Sequence, residues 1–464
     1  MDDLDTGLPG CLTVLPDGTI KQTNPLSGTR VWTVPGRADR PLVAAGSTRV
    51  AEGPRGGGVP CAFCLERLED VPPEKARVIR GSEAPDAGAE GLVGLLGGGG
   101  ADDEGGGGRG GVGGGDGPGG LDGGGRGDRG GDFVVLRDVA PEELRATTPE
   151  FRRIPNLFEI VSFDYWRRNH GLVPSVTARE RYDRWVASET GARILDGVLR
   201  ARRPGGGGLA AGDDAGLAFF AGGHDLVVGR RHLTDDGRLA SSGTLTPAEH
   251  RAFVAFTAES MGRLVTEIPA ARHVAAFQNW LAPAGASFDH LHKQLVAIDE
   301  HGDQVERELA RLRTRPTLHA DHLAHARAQG LVVAENAHAV AFAGYGHRYP
   351  TFEVWAKEAA PVAEMPAAHL AGVSDLLHAL HAGTGPDVPC NEEWHHRPVD
   401  VDVAMPLRIE LKWRVSTLAG FEGGTRIFVT TIGPWDLRDR MLASLHPLAA
   451  DGVLAPGVEL PAPA

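Results

Sequence analysis

Residues Ser287 to Gln294 read Ser-Phe-Asp-His-Leu-His-Lys-Gln, with two histidines and a glutamine at alternate positions. The stretch Phe288 to Ile298 has no Gly or Pro and is apolar in its second half, which predicts a strand. Side chains alternate along a strand, so His290, His292 and Gln294 share one face while Leu291, Lys293 and Leu295 take the other. Two imidazoles and an amide on one surface suit metal ligation, proton shuttling or attack on phosphorus near neutral pH. The plain alternative is a solvated polar strand face.

A second chemical signal is Pro60-Cys61-Ala62-Phe63-Cys64. The Cys-x-x-Cys turn brings two sulfurs within reach of one tetrahedral ion, and zinc is the first candidate, with two more ligands supplied from elsewhere. Its rival is a redox dithiol, but that motif opens a helix within a βαβ unit, and no such unit is evident. Arg37 and Arg40 lie on a turn after the strand-like Arg30 to Val34, either as solvated surface or as a forked donor set for phosphate. His319, His322 and His325 have a helical spacing, and in an Ala/Arg-rich helix they read as surface.

These residues must be positioned by a chain of 464 residues, long enough for two structural units. The formal net charge of −14 argues against nucleic acid as the main partner, which requires a clustered basic surface. The acidic start lacks the order of a signal peptide, no apolar run is long enough to span a bilayer, and only four cysteines are present. Together these give a cytoplasmic expectation. Residues 86–132 are almost entirely Gly with Asp, Arg and Glu, which cannot bury enough apolar surface to offset ordering entropy. They read as a disordered insertion, as do residues 203–215.

The ordered remainder reads as mixed strands and helices. Arg153 to Trp166 predicts a strand and turn. Leu217 to Phe220 with His224 to Gly229 predicts a hairpin running to Arg230-Arg231-His232. Thr246, Pro247 and Glu249 predict a capped helix start, followed by a stripe of Phe253, Phe256, Met261, Leu264 and Val265. A strand over His273 to Trp280 leads through a Pro/Gly/Ala loop into the histidine strand. Beyond residue 300, helices are expected over 303–329 and 366–382. Strands are expected over 331–333, 339–343, 351–355, 408–415 and 426–431. Glu410 and Lys412 occupy the second-half positions where another His-x-His would stand.

In this order the motifs resemble the galactose-1-phosphate uridylyltransferase branch of the histidine-triad superfamily, closest to a divergent actinobacterial-type group. The resemblance rests on Arg37 and Arg40 before Pro41, Cys61 and Cys64, Asn156-Leu157-Phe158, Val227 to His232, Phe277-Gln278-Asn279, and Ser287 to Gln294. It implies an α+β fold of two histidine-triad-like units, each an antiparallel sheet packed with helices: a catalytic unit over 1–300 and a degenerate one over 301–464. It implies a zinc ion on Cys61, Cys64, His232 and His290, and His292 as nucleophile. Gln294 would bond the transferred phosphoryl group, with Arg37, Arg40, Asn156, Asn279 and Ser287 binding substrate.

The implied reaction moves a nucleoside monophosphate between a nucleotide sugar and a sugar 1-phosphate through a nucleotidyl-histidine. The alternatives are a nucleotide-sugar or dinucleoside polyphosphate phosphorylase, and a non-catalytic zinc-stabilised nucleotide-binding scaffold. A homodimer is expected by the same resemblance. The chain departs from the pattern at Leu157, where the family has Asp, and at Lys293, where it usually has Gly. It departs again at Glu410 and Lys412, which puts the second metal site in doubt. His395 and His396, with Glu392, Glu393 and Trp394, stand where the family approaches the sugar phosphate.

Overall fold

The structure, a computed structural model, describes residues 8, 10–35, 60–83, 90–91, 133–202, 214–415 and 419–462. Arg37 and Arg40 lie outside the described residues, as do the two glycine-rich stretches apart from Glu90, Gly91, Asp214 and Ala215. Glu90 and Gly91 pair in a sheet with Val135 and Val134, so ordered backbone extends into the stretch expected to be disordered.

The strands are β1 (Leu12–Val14), β2 (Ile20–Thr23), β3 (Arg30–Thr33), β4 (Ala76–Arg80), β5 (Glu90–Gly91), β6 (Phe133–Arg137), β7 (Phe151–Pro155) and β8 (His224–Gly229). They continue as β9 (His273–Trp280), β10 (His292–Ile298), β11 (Val332–Glu335), β12 (Ala339–Ala343), β13 (Thr351–Ala356), β14 (Cys390–His395), β15 (Arg408–Trp413) and β16 (Ile427–Thr430). Twelve form one sheet in the order β11-β12-β13-β15-β14-β9-β10-β8-β7-β4-β6-β5, with antiparallel neighbours throughout. The two halves of the chain meet where β14 pairs with β9. A smaller sheet, β1-β2-β3-β16, joins the N-terminal hairpin to a C-terminal strand.

Helices α1 (Phe163–His170), α2 (Val176–Ala187), α3 (Glu189–Arg202) and α4 (Ala218–Ala221) precede α5 (Pro247–Glu267). After these come α6 (Asp303–Thr314), α7 (Leu318–Ala328), α8 (Ala367–Thr384), α9 (Gly420–Thr425) and α10 (Pro434–Ala450). Helix α5 begins as expected: Thr246 accepts from the Glu249 amide at 3.2 Å and Glu249 accepts from the Thr246 amide at 2.9 Å. Its apolar residues pack with α8 and one face of the large sheet into the main core, which includes Phe253, Phe256, Leu295, Leu376, Ile409 and Leu411. One face of the sheet is therefore committed to α5 and α8. On the other, α6 and α7 cover the β12 and β13 end, and the stretch around β9 and β10 carries the polar residues of the site.

Several expectations change. Trp166 belongs to α1, because Ser162 caps a helix there by accepting from the Tyr165 amide at 3.1 Å. Leu217 to Phe220 is helical, and its aromatic side chains pack in a cluster with Tyr182 and Trp185 instead of forming a hairpin arm. The expected His-rich helix is two helices, α6 and α7. His319, His322 and His325 are buried, not on the surface: His319 meets Glu308 at 2.6 Å, and His322 packs edge-on against Tyr345 and Trp355.

Candidate active site

The histidine strand starts at His292, four residues later than expected, and Phe288 to His290 is a bend leading into it. Gly285, at φ +90°, turns the chain out of β9 toward that bend. Strand β10 pairs antiparallel with β8, with His292 opposite Val228, so the end of β8 adjoins the start of β10. That register brings His232, three residues past β8, beside His290, two residues before β10.

The Cys61–Cys64 turn completes this corner. Cys61 Sγ lies 3.6 Å from Cys64 Sγ and 3.4 Å from His290 Nδ1, and Cys64 Sγ lies 3.4 Å from His232 Nδ1. All four ligand atoms fall within 4.8 Å of one another. Bonds of about 2.3 Å to sulfur and about 2.0 Å to nitrogen give tetrahedral edges of roughly 3.3–3.8 Å, so the donor set fits zinc. His290 Nε2–H donates to the Gly229 carbonyl at 2.7 Å, which leaves Nδ1 as the atom free to ligate a metal. Burial opposes ionisation of Cys61, but hydrogen bonds from His232 and His290 bring its thiol down to about 5. Burial and the charge on Cys61 push Cys64 up to about 11. The pair therefore shares one negative charge that a cation would complement.

His292 is buried, and its Nδ1–H donates to the His290 carbonyl at 2.7 Å. The free lone pair is consequently on Nε2. Burial lowers its pKa, so the ring is neutral near pH 7. Phe63, between the two cysteines, covers this ring with centroids 5.3 Å apart.

Gln294 follows on the same face, and its Oε1 lies 3.2 Å from His224 Nε2. The Ile160 amide donates to His224 Nδ1 at 3.0 Å, which assigns the proton of His224 to Nε2. Gln294 is thereby oriented with its carbonyl engaged and its NH2 donors available. Asn156 lies 3.0 Å from the same Nε2, and its Oδ1 accepts from the Phe158 amide at 2.9 Å. Neither His224 nor Phe63 was singled out in the sequence, because one reads as a strand residue and the other as filler between ligands.

Across β9 the polar face continues. The pairing of Gln294 with Phe277 puts Asn279 opposite His292, and Asn279 is itself opposite Asn391 of β14. Asn279 Oδ1 accepts from Asn391 Nδ2 at 2.7 Å. Residues Ala275, Phe277 and Asn279 line a cavity of about 380 Å³ with Glu393 and His395. Ser287 is exposed in the loop before His290. Of the residues near the expected sugar-phosphate region, Glu393 and His395 reach this face. Glu392 and Trp394 point into the core, and His396 stacks on His273.

The second-half counterpart is occupied by charge. Lys412 Nζ lies 2.9 Å from Glu410 and also pairs with Glu393, while His347 lies 2.7 Å from Glu353. Glu353 and Glu410 with His347, and Glu393 and Glu410 with His395, also have metal-ligand spacing. The Lys412 ammonium already sits among them. On the opposite face Lys293 is fully buried, paired with Glu392 and 4.7 Å from the centroid of Phe253.

A family model described as Domain of unknown function (DUF4921) matches residues 15–95 and 126–463. The chain belongs to this family. No curated protein matches it. Among solved structures, this DUF4921 member is similar to an ADP-glucose phosphorylase from Arabidopsis thaliana solved with bound ADP-glucose. The two share 15% identity over 91% of this chain and 98% of that one, with a TM-score of 0.55. A GalT-like protein from Arabidopsis thaliana matches at 15% identity over the same shares, with a TM-score of 0.52. These likenesses show the fold alone: this chain has the α+β fold of the ADP-glucose phosphorylase and of the GalT-like protein. No helix among the described residues is long and apolar enough to cross a membrane.

Proposed function

We propose that this protein is a nucleotidyltransferase that carries a nucleoside monophosphate on His292. The observation that supports this most directly is the 2.7 Å bond from His292 Nδ1–H to the His290 carbonyl, which presents a neutral Nε2 beside the Gln294 amide. Nε2 attacks the phosphorus of a nucleotide sugar, the N–P bond forms, and the P–O bond to the departing sugar 1-phosphate breaks. The oxygen of a second sugar phosphate, or of inorganic phosphate, then attacks and the N–P bond breaks. The NH2 of Gln294 supplies a fixed donor for charge on the phosphoryl oxygens, and the Asn279 amide adjoins it. Asn156, Ser287, Arg37 and Arg40 are proposed to complete the nucleotide contacts.

A zinc ion on Cys61, Cys64, His232 and His290 would supply a closed four-ligand centre of structural type, fixing the turn that precedes His292. The protein's own groups then do the chemistry. The domain division is proposed at about residue 300, where β10 ends and α6 follows.

The acceptor decides between a transferase and a phosphorylase. The ADP-glucose phosphorylase that shares the fold makes ADP-sugars with inorganic phosphate the first rival pair to UDP-sugars with hexose 1-phosphates. Intact mass after incubation with a panel of nucleotide sugars tests the reading. A mass gain of one nucleoside monophosphate is expected in the wild type and none in His292→Ala. If no donor labels the wild type while nucleotides still bind, the protein is a zinc-stabilised binding scaffold and the catalytic reading fails.

A further inference from the structure

A second cavity of about 330 Å³ lies along the same sheet face, beyond Asn279, and shares Gln304 and Glu393 with the first. Its wall carries Arg348, Lys412 and Arg414. Lys412 is satisfied by Glu393 and Glu410. Arg348 and Arg414 are different, since neither pairs with a carboxylate among the described residues. Both guanidinium groups lie on the ring of Tyr349, at 5.1 Å and 4.6 Å from its centroid, and Arg348 also lies 5.7 Å from that of Phe428. Arg414 Nη1 donates to Asn391 Oδ1 at 2.7 Å, yet its buried Nε has no hydrogen-bond partner among the described residues. The aromatic rings hold both cations over the cavity with donors to spare.

The carboxylates in this wall pair with other groups: Glu393 and Glu410 share Lys412, and Glu353 behind them lies 2.7 Å from His347. Three cations (Arg348, Lys412, Arg414) against two lining carboxylates (Glu393, Glu410) leave a net charge of about +1 on the lining. Among the described residues, two guanidinium groups without a carboxylate partner face this cavity, and such forks match phosphate or carboxylate oxygens.

The position indicates which end of a ligand they meet. The chain Asn279–Asn391–Arg414 crosses from β9 to β14, so the Arg414 guanidinium sits about two strands from His292, roughly 10 Å at ~4.8 Å per strand. This is too far to touch the phosphorus attacked by His292. A sugar phosphate laid across Asn279 would point its far end at the arginines. We infer that the substrate is a hexose phosphate or nucleotide sugar bearing a second anionic group, phosphate or carboxylate, which Arg348 and Arg414 bind. The location of the ligand's other end rests on the reading of His292 as nucleophile.

Binding of three probes to the full-length protein tests this by calorimetry: glucose 1-phosphate, glucose 1,6-bisphosphate and glucuronic acid 1-phosphate. At least one doubly anionic probe should bind tenfold or more tighter than glucose 1-phosphate, and which of them does so identifies the group. Arg348→Gln and Arg414→Gln should each reduce that preference several-fold, and the double variant should abolish it. Arg348 is exposed, so its substitution does not threaten folding. Equal affinities in the wild type, or a preference that survives in the double variant, would overturn the inference. A preference intact in a protein that acquires no nucleotide on His292 supports the anion site and rejects the transferase reading. Nucleotide on His292 without any preference does the reverse.

Discussion

His292 Nδ1 lies 2.7 Å from the backbone carbonyl of His290, so the proposed nucleophile is held by the peptide unit of a proposed metal ligand. The His290 ring is fixed in turn between Cys61 and the Gly229 carbonyl. The corner formed by Cys61, Cys64, His232 and His290 thus sets both the tautomer and the direction of His292.

Loss of that corner should therefore reach the chemistry. Cys64→Ser is expected to lower bound zinc from about one ion per chain to well below one, by elemental analysis. Melting temperature should fall by several degrees, and labelling of His292 should slow by a factor of ten or more. Structural zinc contributes directly to folding, so chelation of the wild type should reproduce the loss of stability. A variant that keeps its zinc, or loses it without a change in melting temperature, would show that the corner is not a metal centre.

His224 offers a cleaner probe of orientation, since its Nε2 holds the Gln294 carbonyl oxygen at 3.2 Å and touches no proposed ligand of zinc. With phenylalanine at position 224, Gln294 loses the bond that fixes its amide. Removing a preorganised donor altogether slows such reactions by about 10²–10³-fold, so misorienting one should slow His292 labelling by about 10-fold to 10²-fold. Gln294→Ala should be slower still. Rapid-quench measurement of the first turnover checks this, and an unchanged rate in His224→Phe would remove Gln294 from the proposed role.

Lys293, between His292 and Gln294, faces the core, where it pairs with Glu392, which also accepts from His381 at 2.8 Å. Breaking such a buried pair from one side strands a charge and costs about 3–5 kcal/mol. Replacing both sides with apolar groups removes the stranded charge but leaves the His381 and Trp394 donors without their acceptor, Glu392. Lys293→Met should thus destabilise strongly in urea unfolding, and Lys293→Met with Glu392→Leu should recover only part of the loss. Additive effects of the two substitutions would show that the groups are not coupled.

How far the sequence reaches can be judged from these same residues. Helix α5 was legible because Thr246, Pro247 and Glu249 satisfy the first turn locally, and strand β9 because its alternation is clean. The fold class was legible from ordered short motifs. The burial of His319, His322 and His325 was not, because it depends on α7 packing against β12 and β13 strands more than ten residues away. Nor was the role of β14, whose Cys-Asn-Glu-Glu-Trp-His alternates polar residues on both faces and lacks an apolar stripe. His224 and Asn391 matter through partners 70 and 112 residues distant, and no local pattern encodes such a pairing.

The buried triad Glu308, Arg408 and His319 yields a pH prediction separate from the metal corner. Burial opposes ionisation of Glu308. The Arg408 charge and the His319 hydrogen bond outweigh it and hold the carboxyl at about 2. An unfolded glutamate titrates near pH ~4.3, so the folded chain binds fewer protons between these values. The stabilisation is fully present above the unfolded pKa and is lost as pH falls toward 2. A shift of roughly two units corresponds to about 3 kcal/mol. Glu308→Gln should be less stable than wild type near pH 7 by about that amount or more, since Arg408 is left buried without its carboxylate. The difference between the two proteins should then shrink between about pH 4.3 and pH 2. Acid loss of zinc affects both proteins alike and cancels in the comparison. Urea unfolding across this range reads the result, and parallel stability curves for the two proteins would show that Glu308 does not titrate with folding.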